Sequence, residues 1–401
     1  MIDVLRAFAL FGIIITHSGG GFLAGRPPRP GFMAFTPFDQ IVSQLDRMLV
    51  FGKFFTIFSF LFGLSFAIQM RSAEAKGVGF AGRFTWRIVV LALIALVHGA
   101  FFSGDILIIY ALLAFVLIPF RNVGTRWLVI TGLVLVFNVP GLMLGASGLR
   151  APAPVAAQQA AGAQAQAQPP AMEAIRRAFE IKQNGGIAEL VQLNLGSTLA
   201  SKLQFQITTG RLWMTFGLFL LGVAAGRLSI FSDSGQNRQF FRRLLWGAGA
   251  LAAVTTAAAL LRPASMPVRS VADLLASYSF TVQQVSLSAF YLALVTLLYW
   301  RSPKGWLARL APAGKMGLTV YLTQTVFGLL LFYHLGGIGF GALGHMGVST
   351  AVGCGIAFYL VQILLARWWM AHFSMGPVEW LWRSITYLKW QPNTRPAAQP
   401  A

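Results

Sequence analysis

The sequence predicts an all-α protein: a polytopic transmembrane helix bundle of about ten spans, with both termini on the cytoplasmic side. Three observations lead there. Hydrophobic residues make up 56% of the 401 and charged residues only 10%, with a mean hydropathy of +0.68, a balance foreign to ordinary soluble domains. Apolar runs of near-spanning length recur along the whole chain. Lys and Arg gather in alternate connections between those runs, as the positive-inside rule requires of a multipass protein.

The runs cover 4–23, 49–70, 87–102, 106–120, 127–145, 212–231, 241–261, 278–300, 316–335 and 349–370. The third and fourth are short and joined only by Ser103, Gly104 and Asp105, which predicts a tight helical hairpin. The fifth contains Asn138 and Pro140, a kink signal. The sixth carries Gly222 and Gly226 at the spacing by which transmembrane helices pack closely.

The chain divides into a five-helix membrane half at 1–147, an extracytoplasmic linker at 148–211, a second five-helix half at 212–391 and a disordered tail at 392–401. The linker opens with an Ala/Gln/Pro-rich stretch at 151–171, expected to be flexible. Ile175, Phe179 and Ile181, then Ile187, Leu190, Val191 and Leu195, suit two short amphipathic helices split at Asn184-Gly185-Gly186. They either lie on the bilayer surface or form a lid. Trp380, Trp382, Tyr387 and Trp390, with Arg383 and Lys389, read as an interfacial helix on the cytoplasmic leaflet. Within it, Glu379 pairs with Arg383 at helical spacing or reaches a cation near a ligand entrance.

Positive residues after the second, fourth, sixth, eighth and tenth runs set the orientation, among them Arg71, Arg87, Arg121, Arg227, Arg301 and Arg383. Arg26, Arg29, Arg47, Arg262 and Arg269 run against it and are the minority. Topology therefore accounts for the net charge of +20. Nucleic-acid binding does not, because no basic cluster with interleaved aromatics sits on a soluble domain. The single cysteine, Cys354, rules out an intrachain disulfide and a cysteine metal site, and no metal is expected. A cleaved signal peptide is not expected either, since the first run lacks a basic leader of useful length. The surroundings implied are the lipid bilayer of a bacterial inner membrane, and a homo-oligomer is compatible with the sequence.

The most informative stretch is the first run. Arg6 and His17 are eleven residues apart, three helical turns, so both project from nearly one face and lie roughly 16 Å apart along the axis. Ionisable groups in a membrane normally face the protein interior and mark a functional path. The plainer reading has Arg6 snorkelling to the headgroups and His17 ending the span at the opposite interface. His98 and Asp105 fall on the same outer side as His17, and Lys53 adds a cation there, with Thr56 and Ser59 below it at helical spacing. A histidine with a carboxylate to orient it can act as a general base on an acceptor hydroxyl. Asp105 also suits an N-cap, and His98 a buried, satisfied histidine. Tyr321 and Gln324 on the ninth run, and Gln283 and Gln284 on the eighth, either bond between helices or line a substrate passage.

Three motifs of the first half resemble the YeiB family of bacterial inner-membrane proteins: the stretch from Leu5 to Ile13, that from Lys53 to Gly63, and that from Gly104 through Tyr110 to Ala111. In the second half, the stretches from Leu220 to Arg227, from Gly317 to Gln324 and from Gly376 to Arg383 resemble that family's carboxy-terminal domain of unknown function. The family is in turn similar to the transmembrane acyltransferase superfamily, whose O-acetyltransferases carry an arginine, ten residues and a histidine on helix one; Arg6 and His17 match that spacing. YeiB-like chains often have asparagine at the second of these positions.

The resemblance implies transfer of an acyl group from cytoplasmic acyl-CoA, with acetyl-CoA the expected form, to an extracytoplasmic hydroxyl or amine acceptor on a lipid or glycan. It implies a donor site at Arg6 with cations such as Arg87 or Arg227, His17 activating the acceptor, and His98 with Asp105 as a second base and its orienter or as contacts to the acceptor; Lys53, Ser59, Tyr110, Tyr321 and Gln324 are the candidate substrate contacts. A transporter or flippase of a small polar or lipid-linked solute is the competing reading. The near absence of carboxylates from the runs weighs against a proton-driven one.

Overall fold

The computed structural model describes residues 1–23, 36–143, 169–196, 199–261 and 270–394, and each of the ten apolar runs carries helix in it. The first half folds as α1 (Ile2–Gly19), α2 (Pro37–Leu45), α3 (Lys53–Glu74), α4 (Phe80–Phe101), α5 (Leu107–Leu117) and α6 (Thr125–Val136). Three short helices follow: α7 (Pro169–Asn184), α8 (Ile187–Gly196) and α9 (Leu199–Thr208). The second half holds α10 (Arg211–Arg227), α11 (Gly235–Leu260), α12 (Val271–Arg301), α13 (Ala311–Lys315), α14 (Gly317–Phe332), α15 (Val348–His372) and α16 (Pro377–Tyr387).

The expected count of ten spans is too high. Among the described residues six helices are long and apolar enough to cross a bilayer, or eight if two sharply bent pairs each count as one span. With 11 and 12 residues, α5 and α6 rise only about 17 Å, at about 1.5 Å per residue, against a hydrocarbon core of about 30 Å. The cause is local. Helix α5 gives way to a tighter turn at Pro119, and α6 stops at Val136 because Asn138 takes φ +50°, two residues before Pro140. The bent pairs are α9 with α10, at 78° around a left-handed Gly210, and the 306–315 segment with α14, at 82°.

Packing centres on α10, apolar on all sides and buried almost continuously from Met214 to Gly226. It lies against α3 so closely that a Cβ on Gly222 would stand 2.1 Å from the Phe60 carbonyl oxygen, and one on Gly63 2.0 Å from that of Phe219. The small-residue spacing of Gly222 and Gly226 is thus a helix contact. Leu93, Leu96 and Val97 on α4, Trp246 and Val254 on α11, and Leu364 and Leu365 on α15 are exposed. A surface of this kind is stable only in contact with lipid, and the chain is a multipass membrane protein.

The two ends of the bundle are closed differently. At the end reached by His17, α7 and α8 break at Gly185 and Gly186 as expected and dock on the bundle, burying Phe179 and Leu190 among Phe22, Phe102, Phe332 and Tyr333. Asn194 donates to the Ala100 carbonyl at 3.0 Å, and the His334 and Gly336 amides donate to the carbonyls of Lys182 and Gly185. These helices cover the bundle.

At the Arg6 end, α16 lies across the mouth. Glu379 does not pair with Arg383: its Oε1 accepts from the Leu318 and Thr319 amides at 2.6 and 3.0 Å, and its Oε2 from the Thr319 hydroxyl at 2.5 Å. The 82° bend opens the N-terminus of α14, and a carboxylate is the natural cap for the amides exposed there. The expected flexible linker lies outside the described residues as far as 168, and the expected tail from 395 onward. Residues 392–394, expected in that tail, are tied down: Ser374 and Met375 donate to Asn393 at 2.7 and 2.9 Å.

Candidate functional site

His98 sits in the last turn of α4 and Asp105 in the turn that follows, so the tight hairpin folds the carboxylate back onto the imidazole. His98 Nδ1 and Asp105 Oδ1 are 2.7 Å apart, with the Asp105 side chain fully shielded from solvent. Asp105 also accepts from the amides of Leu107 and Ile108 at 3.1 and 3.3 Å. It is therefore both the cap of α5 and the partner of His98. The other ring nitrogen, Nε2, lies 2.8 Å from the Thr325 hydroxyl.

His17 and Tyr321 complete the group. The Tyr321 ring stands 5.2 Å from the His98 ring and 6.2 Å from that of His17, centroid to centroid, and Phe102 lies 5.1 Å from His17. His17 Nδ1 is buried without a hydrogen-bond partner among the described residues, and the buried Tyr321 hydroxyl has only the Ile106 backbone near it. An unsatisfied polar atom beside a histidine–carboxylate pair is unfavourable in the empty protein and available to a bound group.

A cavity of about 250 Å³ runs toward this group from the other end of the bundle. Its mouth holds Arg6, Arg87, Lys315, Gln69 and Glu379, and its walls are mostly Phe, Leu and Ile of α3, α4 and α5. Arg6 is held by Asp3 at 2.5 Å and Ser65 at 2.7 Å. Arg87 lies 4.0 Å above the Trp382 ring, whose indole N–H donates to the Arg87 carbonyl at 3.0 Å. At its far end the cavity meets Ile106, Tyr110 and Tyr321. Neither His17 nor His98 lines it directly; Tyr321 stands between.

Of the sequence-predicted residues, the structure thus brings His17, His98, Asp105 and Tyr321 together, and sets Arg6, Arg87 and Tyr110 on the adjoining cavity. It sets others apart. Arg227 donates to the carbonyls of Arg121 and Val123, both at 2.5 Å, and lines a different pocket. A helix-terminal arginine is drawn to open carbonyls, which sequence position cannot distinguish from a ligand. Lys53 is fully buried with its ammonium on the Arg47 carbonyl at 2.9 Å and near the Phe280 ring. Ser59 bonds the Tyr110 hydroxyl at 2.6 Å. Gln324 bonds between helices, to the Leu10 carbonyl and to Gln362, both at 3.3 Å, while Gln283 and Gln284 donate to the carbonyls of Met48 and Gly52.

Thr325, Lys315 and Trp382 were not expected at the site. The signal for Thr325 was its place four residues after Tyr321, on the same helix face.

Residues 225–389 match the family described as "Protein of unknown function (DUF418)". Over its whole length the chain is similar to uncharacterized proteins. YxaH of Bacillus subtilis (strain 168) is 28% identical, covering 98% of this chain and 95% of the relative. YeiB of Escherichia coli (strain K12) is also 28% identical, covering 96% and 95%. A 39.9 kDa protein encoded in the amylase 3′ region of Bacillus acidopullulyticus is 25% identical, covering 96% and 93%. No solved structure matches.

Proposed function

Because the chain belongs with the YeiB-like membrane proteins, we propose that it is an integral-membrane acyltransferase using acyl-CoA as donor. The observation that carries this reading is the cavity with a cationic mouth at Arg6, Arg87 and Lys315 that ends against Tyr321, beside the His98–Asp105 pair. Cations at the mouth suit the nucleotide phosphates of coenzyme A. A narrow, largely apolar bore suits its extended arm, and the thioester would then arrive beside Tyr321. In this reading the Arg6 end faces the cytoplasm of a bacterial inner membrane, both termini lie there, and α7 to α9 lie outside.

The chemistry follows from the histidine's two bonds. Asp105 holds the Nδ1 proton, leaving Nε2 as the base. An acceptor hydroxyl that displaces Thr325 gives its proton to Nε2 and attacks the thioester carbonyl. The new C–O bond forms as the C–S bond breaks, and the leaving thiolate takes the proton back from His98. The Tyr321 hydroxyl and His17 supply hydrogen bonds to the developing oxyanion or the acceptor.

Thermal unfolding of the purified protein with acetyl-CoA and desulfo-CoA tests the reading. Stabilisation by either ligand is expected in the wild type and in His98→Ala, and is lost in Arg6→Ala and Arg87→Ala. A folded wild type that responds to no CoA ligand rejects the proposal in favour of a transport role.

A further inference from the structure

The segment between the membrane halves carries a cation into the site from the end opposite Arg6. A Cβ built on Gly99 of α4 would stand 3.5 Å from Lys202 Nζ and 3.9 Å from Asp105 Oδ2. The Lys202 ammonium and the second oxygen of Asp105 thus both face the bare stretch of α4 at Gly99, without forming an ion pair among the described residues.

Three residues on from Lys202, along the same face of α9, Phe205 lies 5.5 Å from the Arg211 guanidinium, which is also 5.2 Å from the Phe51 ring and 5.3 Å from the Phe55 ring. No carboxylate answers Arg211: the ion pairs among the described residues are Arg6–Asp3, His98–Asp105 and Arg238–Asp233. Gln206, four residues after Lys202, is 9% exposed, and its Oε1 has no hydrogen-bond partner among the described residues. Aromatic faces offset only part of what a guanidinium loses when its water is displaced.

We propose that Lys202 and Arg211 form a subsite for a negatively charged group, a phosphate ester or a carboxylate, carried by the acceptor whose hydroxyl reaches His98. The word acceptor rests on the acyl-transfer reading; the anion subsite does not. Lys202 sets the charged group close enough to Asp105 for the same molecule to reach the histidine. Arg211, held by three rings, offers a planar fork that a carboxylate or phosphate can take with two bonds.

The test uses the full chain, in detergent and in nanodiscs. Glycerol 3-phosphate binding is measured by calorimetry, and the unfolding midpoint is compared between phosphatidylglycerol and phosphatidylcholine nanodiscs. Lys202→Gln and Arg211→Gln are each expected to weaken the response at least tenfold, Arg211→Lys to retain part of it, and Lys304→Gln, in the exposed turn after α12, to leave it unchanged. Response to the lipid alone assigns the anion to a headgroup, and response to glycerol 3-phosphate to a soluble ester; both support the subsite. Binding that persists in the Lys202→Gln/Arg211→Gln variant, or no response to either probe, overturns it. Acetyl-CoA stabilisation is read on the same variants and should not move. Its absence from the wild type, with anion binding intact, would remove the acyl-transfer reading and leave the subsite.

Discussion

Asp105 serves two structures at once, and two substitutions separate them. In Asp105→Ala the Leu107 and Ile108 amides and His98 Nδ1 all lose their acceptor in a shielded place. Leaving a buried donor unsatisfied costs about 1–3 kcal/mol, so the three together predict a loss of at least about 3 kcal/mol. Asp105→Asn keeps one carbonyl oxygen for the α5 amides, and asparagine is as good an N-cap as aspartate. Its expected cost is about 1 kcal/mol. Both variants lose the carboxylate that fixes the His98 proton, which for general-base catalysis is worth about 10²-fold or more. Thermal midpoints in detergent and acyl transfer from labelled acetyl-CoA measure the two effects separately. The expected pattern is a large midpoint drop for alanine alone and a large rate loss for both. Full transfer by Asp105→Asn would refute the orienting role, and equal small midpoint shifts would refute the buried node.

Glu379→Ala should lower the midpoint by the equivalent of about 1–2 kcal/mol, because it uncaps α14; an Arg383→Ala variant losing as much would reinstate the pairing between them. Gly222→Val should abolish recovery of monodisperse protein, since its branched side chain has no room at the Phe60 carbonyl; normal gel filtration would contradict the α3–α10 contact. Burial between the Phe179 and Tyr333 rings lowers the Lys182 ammonium to about 8, against about 10.4 for a free lysine. Between those values the unfolded chain binds more protons, so stability should rise with pH from about 8 toward 10. Lys182→Met should flatten that rise, and identical midpoint-versus-pH curves for the two proteins would count against it.

Helix existence was legible in the sequence because apolar runs declare themselves whatever surrounds them. Helix length was not. Asn138 was seen beside Pro140 as a kink, but only the backbone shows that it ends α6 in a left-handed turn. The pairing of His98 with Asp105 was legible from seven residues of separation across a short turn. The placement of Arg227 was not, since its partners are carbonyls more than a hundred residues earlier. Glu379 shows the same limit: the helix four residues ahead was visible, and the open end of α14, about sixty residues behind, was not. Polar side chains in spans announce that they have partners without saying which.

The rings of Phe22 and Phe102 stand 5.0 Å apart, those of Phe22 and Phe332 5.4 Å, with α7 and α8 above them. In a membrane such a stack would act as an insulator. A continuous thread of water through a membrane conducts protons and drains the voltage across it, at about 2.3 kcal/mol per charge for each 100 mV. The proposed reaction would admit a polar molecule from each face, and the protein would still have to hold that voltage. Replacing Phe102 with a small residue would open a leak as well as a space, and the current across a reconstituted bilayer would register the change even without knowledge of the substrate.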